Sequence, residues 1–339
     1  MNQKYRVALV GCGGISIAHG EAWENLPELE LVGICDVKLD ALKNFAEQFG
    51  VKNTYNDLRT MLEKQHPDIL VVATWPTVHL KNILEGVRGG VRGILCEKPI
   101  AINATQIEQM IQVATSANVR LMEGFMYRHH PLTLAVRQRI DEGVIGEVRF
   151  VRATFSTGLP DRTNWRLRGE FGGGAVMDLG CYCINCIRYL IGAEPTAVWA
   201  AGKFEPISGV WETLIGTLDF GDGVTGQFDC SFGWIWRESY EIVGTKGRMV
   251  VPRAWSNGEG KCSFTLIANG HDETIQVTGI NPYAAEILNL CESLSANVLP
   301  RVTMEDSLWN MRVIDGVHES AHTGKRISIS EEKKEITCG

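Results

Sequence analysis

Five short apolar runs mark the first third of the chain: Tyr5 to Val10, Leu29 to Cys35, Ile69 to Ala73, Gly93 to Cys96 and Arg120 to Glu123. Each reads as a strand, and the intervals between them carry helical periodicity. Continuous apolar strands joined by helices of crossover length predict a parallel sheet covered on both faces, a doubly wound α/β domain. Beyond about residue 145 the pattern becomes alternating apolar and polar, in Val148 to Phe155, Thr213 to Phe220, Val224 to Phe232 and Ser239 to Val243. Gly221-Asp222-Gly223 and Thr245-Lys246-Gly247 separate these runs as turns, which predicts hairpins and a large, open, mainly antiparallel sheet in meander order. Phe125 to Gly143 reads as a loop and a helix, and Pro282 to Ser295 and Met304 to His322 as helices. The expected division is a doubly wound domain over 1-124 and a second α/β domain over 125-339.

Length and composition agree with two domains and narrow the partners. The chain has 339 residues, 45% of them hydrophobic, with a net charge of -7. This balance disfavours nucleic acid and membrane surfaces, which attract clustered Lys and Arg, and points to a small molecule. The polar start leads into too few apolar residues for an export signal, so a cytoplasmic protein is expected. The ten cysteines are scattered. Cys181, Cys183 and Cys186 lie together in a predicted helix without paired C-x-x-C units, so thiols are expected and no metal.

The first strand runs into Gly11-Cys12-Gly13-Gly14-Ile15-Ser16. Glycines there let the backbone turn tightly and approach a pyrophosphate at a helix N-terminus. Ser16 stands where a third glycine allows close packing of helix on strand, and a serine is small enough to fit. Asp36 ends the second strand about twenty residues on, where a carboxylate accepts from ribose hydroxyls and repels a 2'-phosphate. Gly11, Gly13, Gly14, Ile15 and Asp36 are therefore read as an NAD site. Lys38, which can neutralise a phosphate, leaves NADP open.

Glu97-Lys98-Pro99 follows the fourth strand and so stands at the carboxyl end of the sheet, where ligands of open α/β sheets bind. Lys98 there either stabilises charge growing on a substrate oxygen or pairs with a carboxylate such as Glu97. A second constellation, Gly172-Gly173-Gly174-Ala175-Val176-Met177-Asp178-Leu179-Gly180-Cys181-Tyr182, opens a helix reaching Leu190. Asp178, Tyr182, Asn185 and Tyr189 form its polar stripe, and Val176, Leu179, Cys183, Ile187 and Leu190 its packed face.

The glycine turn, Asp36, the stretch Thr74-Trp75-Pro76-Thr77-Val78-His79, Glu97-Lys98-Pro99 and the glycine-aspartate helix resemble the glucose-fructose oxidoreductase / inositol dehydrogenase (Gfo/Idh/MocA) family over nearly the whole chain. Glu123 to Pro131 and the ending Asn281-Pro282-Tyr283 through Ser320 to Lys325 are similar to the branch with xylose dehydrogenases and dimeric dihydrodiol dehydrogenases. The resemblance implies a Rossmann domain, a second domain whose sheet mediates homodimer or homotetramer contacts, and an active site between them. It maps the family lysine onto Lys98 and the nicotinamide surroundings onto Thr74, Trp75, His79 and Glu97. It also puts a tyrosine, Tyr182, where inositol dehydrogenase-like members have histidine.

On this reading Tyr182 and Lys98 are a proton-transfer dyad, the lysine favouring phenolate at the tyrosine, and Asp178 orients the lysine or the substrate. The alternative is a tyrosine packed between domains. Arg128, Trp165 and Arg166 are candidate contacts for a sugar-like substrate, against the plainer role of loop residues; His129 shares the ambiguity of Arg128. Trp234 and Trp236 alternate as on a strand, in the core or an interface. The implied activity is NAD(P)-dependent oxidoreduction of a sugar or polyol at a secondary alcohol, ketone or anomeric carbon. A trans-dihydrodiol dehydrogenase and a nicotinamide-binding sensor without turnover are the alternatives.

Overall fold

The computed structural model describes residues 4–159 and 161–330. The outermost residues of both expected domains, 1–3 and 331–339, lie outside the described residues. The first sheet is built from β1 (Tyr5–Val10), β2 (Leu29–Cys35), β3 (Thr54–Tyr55), β4 (Ile69–Val72), β5 (Gly93–Glu97) and β6 (Arg120–Gly124). Its order is β3-β2-β1-β4-β5-β6, with every pairing parallel. The crossovers are α1 (Gly14–Trp23), α2 (Leu39–Phe49), α3 (Leu58–Gln65), α4 (Pro76–Arg88) and α5 (Ala104–Ser116). Val7, Leu9, Ile69, Leu70 and Ile94 have no exposed surface, as strands covered on both faces require. The strand order reverses between β1 and β4, which opens a crevice at their carboxyl ends. The glycine turn after β1 and Thr74 after β4 border it.

After β6 a 3₁₀ turn (Met126–His129) leads to α6 (Pro131–Asp141) and β7 (Val148–Ser156). A π-turn over Val176–Gly180 then runs into α7 (Cys181–Ile191). The remaining strands are β8 (Ala197–Glu205), β9 (Val210–Gly221), β10 (Val224–Ser231), β11 (Arg237–Gly244), β12 (Gly247–Val251), β13 (Gly260–Ala268) and β14 (His271–Gly279). Helices α8 (Pro282–Ala296) and α9 (Met304–Thr323) and the short β15 (Ile327–Ser328) end the described chain. The second sheet has the order β14-β13-β12-β11-β7-β10-β9-β8-β15.

This sheet is mostly antiparallel, but it is not a simple meander. β7 lies in its middle and pairs with β10 in parallel, because α7 carries the chain across before β8 to β10 are laid down. The alternation pattern missed β8, β12, β13 and β14. β8 is rich in Ala and Gly, and β14 opens with the charged pair Asp272-Glu273, so neither shows the usual period. Trp234 and Trp236 are not on a strand either. They fall in the bend between β10 and β11, where Trp236 remains 55% exposed. The expected split of α7 into a packed and a polar face also fails, since Asp178, Tyr182 and Asn185 are as buried as Val176 and Leu190. One segment, Gly169–Ile191, is apolar and long enough by composition to cross a membrane, and it is 89% buried inside the protein.

The halves are tied by the last two helices. α8 packs on α1, β5 and β6 of the first sheet, and α9 packs on α5 and on β8. Asp306, in the first turn of α9, receives Arg128 Nη1 at 2.8 Å and Arg188 Nη1 at 3.0 Å. Both guanidiniums are buried, and Arg128 also stacks on Tyr189 at 3.6 Å and donates to Asn185. Arg128 is thus a structural cation and not the expected substrate contact. Its neighbour His129 is buried as well, and burial, then Arg301 and Arg128, push its imidazole down to about 3. Removing Asp306 leaves the buried Arg128 without a carboxylate, while Arg188 keeps Glu194 at 2.5 and 2.7 Å. Asp306→Ala is expected to cost about 3–5 kcal/mol in urea unfolding, against about 1 kcal/mol or less for exposed Asp141→Ala.

Candidate active site

At Gly11 the backbone takes φ +96°, and a Cβ would lie 2.5 Å from the Ala73 carbonyl oxygen, so only glycine lets the turn close over β4. Gly13 is the N-cap of α1 with no side-chain cap, and a Cβ on Gly13 or Gly14 would meet nothing within 4 Å. Bare helix N–H groups facing open space form a cradle that a pyrophosphate fits. Ser16 is fully buried and turns its hydroxyl inward, donating to Gly13 O at 2.5 Å. Asp36 accepts from Cys12 N and from Lys38 N, both at 2.7 Å, which fixes its carboxylate beside the turn. Lys38 Nζ lies over the Trp75 indole, 5.0 Å from its centroid.

Of the residues after β4, His79 is turned into the protein. His79 is fully buried, with Nε2 2.9 Å from Thr74 O and Nδ1 3.2 Å from Pro99 O and Ile100 O. Burial lowers its pKa, and its ring clamps the end of β4 to the Lys98-Pro99 turn instead of facing a ligand. Thr74 Oγ1 accepts from Asn82 at 3.0 Å. Trp75 caps α4 and packs on Phe171 at 4.2 Å, so it bridges the two halves of the chain. Glu97 is buried and turned below the crevice, accepting from His19 at 2.8 Å and from Lys98 N at 3.2 Å. Glu123, at the end of β6, accepts from Ile100 N at 2.9 Å and fixes the far side of the same turn.

Lys98 points into a cavity of about 590 Å³ between the two halves. Its ammonium donates to Asp178 Oδ1 and to Asp178 O, both at 2.8 Å, and lies 4.8 Å from the centroid of the Tyr182 ring. The other oxygen of Asp178 accepts from Arg166 Nε at 2.8 Å. Burial works against the charge on Asp178, but Lys98 and Arg166 outweigh it and hold the carboxyl below its usual range. Burial likewise opposes the ammonium of Lys98, and Asp178 reverses the effect, leaving its pKa raised. Lys98, Asp178, Tyr182 and Arg166 are therefore brought together, as the sequence suggested.

Local backbone explains how. Asp178 is carried by the π-turn, a widened turn common at functional sites. The glycines before it let the Arg166 loop fold close: a Cβ on Gly173 would stand 2.5 Å from Arg166 O, and Gly174 N donates to that oxygen at 2.8 Å. Trp165 is half-buried under the Arg166 guanidinium, 4.9 Å from it, and does not line the cavity. Its observed contact is with Arg166.

Tyr182 is ringed by Phe125, Tyr127, Phe155 and Trp255 at centroid distances of 5.6 to 5.8 Å. Its hydroxyl reaches only the Met126 thioether, a weak acceptor at 3.7 Å. Burial, then Tyr283 and Glu97, raise its pKa well above 10. The Lys98 ammonium faces the Tyr182 ring and is held by Asp178, and burial keeps the proton on the phenol. Sequence reasoning missed Phe155, Trp255 and Tyr283 as cavity walls and placed Trp236 elsewhere. Trp255 is set by Glu238, which accepts from its backbone N at 2.9 Å, and by its own indole N–H on Thr154 O. No local pattern around Trp255 announces this, because it lies in an irregular loop. Glycine 13 offers a direct check. Gly13→Val is expected to leave the melting temperature near wild type, since its Cβ meets nothing, while NADH affinity by fluorescence titration falls about tenfold or more.

Comparison with known proteins agrees with this architecture. Residues 5–125 match the oxidoreductase family model with an NAD-binding Rossmann fold, and residues 133–250 match the Gfo/Idh/MocA C-terminal domain. The trans-1,2-dihydrobenzene-1,2-diol dehydrogenase of Xenopus laevis is 30% identical, covering 89% of this chain and 94% of its own. The D-xylose 1-dehydrogenase (NADP(+)) 2 of Haloferax volcanii is 27% identical, covering 95% and 98%. A 3-ketoreductase from Actinomadura kijaniata, solved with NADP and TDP-benzene, superposes with a TM-score of 0.88 at 28% identity, covering 94% of this chain and 98% of its own. That reductase has also been solved with one lysine changed to alanine and with one tyrosine changed to phenylalanine. Both halves of the chain match the family's domains, and a lysine and a tyrosine line the cavity between them, so the chain belongs to the Gfo/Idh/MocA family of NAD(P)-dependent oxidoreductases.

Proposed function

We propose that the protein interconverts a carbonyl and an alcohol, or acts at an anomeric carbon, on a sugar or polyol, with Lys98 and Tyr182 as the proton-transfer pair. The observation that carries this reading is the cavity itself, where the Lys98 ammonium, the Tyr182 ring and the Asp178 carboxylate converge within contact distance of one another. The altered lysine and tyrosine of the Actinomadura kijaniata reductase are separated by the same number of residues as Lys98 and Tyr182, which supports giving the pair this role. The relatives named for xylose and for a deoxy keto-sugar nucleotide support the substrate class.

Gly11, Gly13, Gly14 and Ile15 would hold the pyrophosphate and Asp36 the adenosine ribose, with Thr74 and Trp75 along the crevice. The nicotinamide, when bound, supplies the hydride in reduction and takes it in oxidation. Tyr182 donates its phenolic proton to the substrate oxygen in reduction and recovers it in oxidation. Lys98 and Arg166 with Asp178 leave one net positive charge beside Tyr182, which stabilises the negative charge that proton transfer leaves on the phenol or the substrate oxygen. Arg166, at the cavity wall, also presents donors to hydroxyls. NAD is favoured by Asp36, and Lys38 keeps NADP use open.

A second reading has specific support. Phe155, Trp236, Trp255 and Tyr283 give the cavity several aromatic walls, which suit the apolar ring of a trans-dihydrodiol as well as the faces of a sugar. The solvent face of the second sheet, where Trp199 and Ile215 are about half exposed on neighbouring strands, supports a homodimer or homotetramer through that sheet.

The test is absorbance at about 340 nm with NAD(H) and NADP(H) against aldoses, keto-sugars, inositols and trans-dihydrodiols. Lys98→Ala and Tyr182→Phe are each expected to lower kcat by about 10²–10⁴-fold. Because Tyr182 stays protonated below its raised pKa, oxidation is expected to quicken as pH rises from neutrality, while reduction is level there and falls only at alkaline pH. Tight NADH binding with no turnover of any panel member would replace this reading with that of a nicotinamide-binding sensor.

A further inference from the structure

Beneath the Lys98 turn lies a buried cluster that the chemistry above does not use. His19 from α1, Glu97 from β5 and Glu286 from α8 converge there, His19 and Glu286 with no exposed surface and Glu97 with 6%. His19 Nε2 is 2.8 Å from Glu97 Oε1, and His19 Nδ1 is 3.9 Å from Glu286 Oε1. Trp23 and Tyr283 close over the imidazole at 5.3 and 5.2 Å. The second oxygen of Glu97 accepts from Lys98 N, whereas His19 Nδ1 and both oxygens of Glu286 have no hydrogen-bond partner in the structure. The surrounding titratable groups are Tyr283 on α8, Lys98 on the turn, His79 on α4 and Tyr182 on α7, each of them acted on by Glu97.

Two ionised carboxylates packed against one fully buried ring would each lose their hydration and repel one another. Burial, reinforced by the charge of Glu97, pushes the Glu286 carboxyl well above the usual range. The two acids address opposite nitrogens of one ring, an arrangement that suits a proton on each side of the ring better than one ion ligated by all three.

We propose that Glu286, His19 and Glu97 form a buried relay holding one net negative charge, with Glu286 a neutral acid facing Nδ1 and Glu97 the carboxylate that receives Nε2–H. Glu286 is then a positioning residue. Through His19 it fixes the helix that starts at the phosphate cradle, and through Glu97 it fixes the backbone of Lys98. Cofactor affinity thereby depends on a C-terminal helix that begins at Pro282, at the other end of the chain from the cradle at Gly14.

The inference concerns cofactor binding and holds whichever substrate the enzyme takes. The experiment is fluorescence titration with NADH and NADPH from about pH 6 to about pH 9 on wild type, Glu286→Gln and Glu286→Met, with melting temperatures alongside. An amide reproduces a neutral acid's contact with His19 and a thioether does not. At neutral pH Glu286→Gln is expected to bind within about twofold of wild type, while Glu286→Met, which removes the polar group 3.9 Å from His19 Nδ1, weakens about fivefold. Any loss of affinity on raising the pH that comes from ionising Glu286 is expected in wild type and to be absent from Glu286→Gln. Three results would overturn the proposal: equal loss in both variants, no loss in Glu286→Met, or a stoichiometric metal ion in wild type that both variants lack. If Glu286→Gln does not fold, Glu286 is required as an ion and the proposal fails.

Discussion

The ammonium of Lys98 leaves the first sheet and is met by a carboxylate that belongs to the second half of the chain. This pair, Lys98 with Asp178 at 2.8 Å, is where the two halves become one site. A buried lysine keeps its charge only against an anion, and a buried aspartate keeps its own only between cations. Asp178 therefore has to lie between Lys98 and Arg166, and the backbone is shaped to put it there. The π-turn widens the start of α7, and the glycines before it admit the Arg166 loop at contact distance. Two cations around one anion leave a positive excess in a cavity otherwise walled by aromatic rings, which is the environment an oxygen gaining negative charge needs.

Much of the surrounding polar structure serves to hold that turn still. His79 reaches its carbonyl groups, Glu123 receives Ile100 N–H, and Glu97 receives Lys98 N–H. Each of these side chains comes from a different element of the first domain. Farther out, Asp306 gathers Arg128 and Arg188 behind α7 and keeps that helix seated on α9. The charged groups of this protein thus fall into two kinds: a few that face the cavity, and more that are buried with partners and fix the geometry of the first kind.

The sequence by itself determined the parallel sheet, the phosphate turn and the chemical identity of the reactive groups. Buried parallel strands leave continuous apolar runs, a tight turn over a neighbouring strand demands glycine at Gly11, and Lys98, Asp178 and Tyr182 belong to short motifs whose local pattern is specific. What it left open follows from contacts that local pattern does not encode. Arg128, His79 and Trp165 looked like ligand contacts because polar and aromatic residues near a site do, and only packing shows that Asp306, the Pro99 carbonyl and Arg166 claim them. Tertiary structure alone decided how deeply Tyr182 is buried, and so the upward push on its phenol, since that depends on the rings packed around it. It also decided which residues wall the cavity. Trp255 and Tyr283 come from a loop and from the start of α8, both far along the chain, and a residue's reach across the fold depends on where its element docks rather than on its neighbours in sequence.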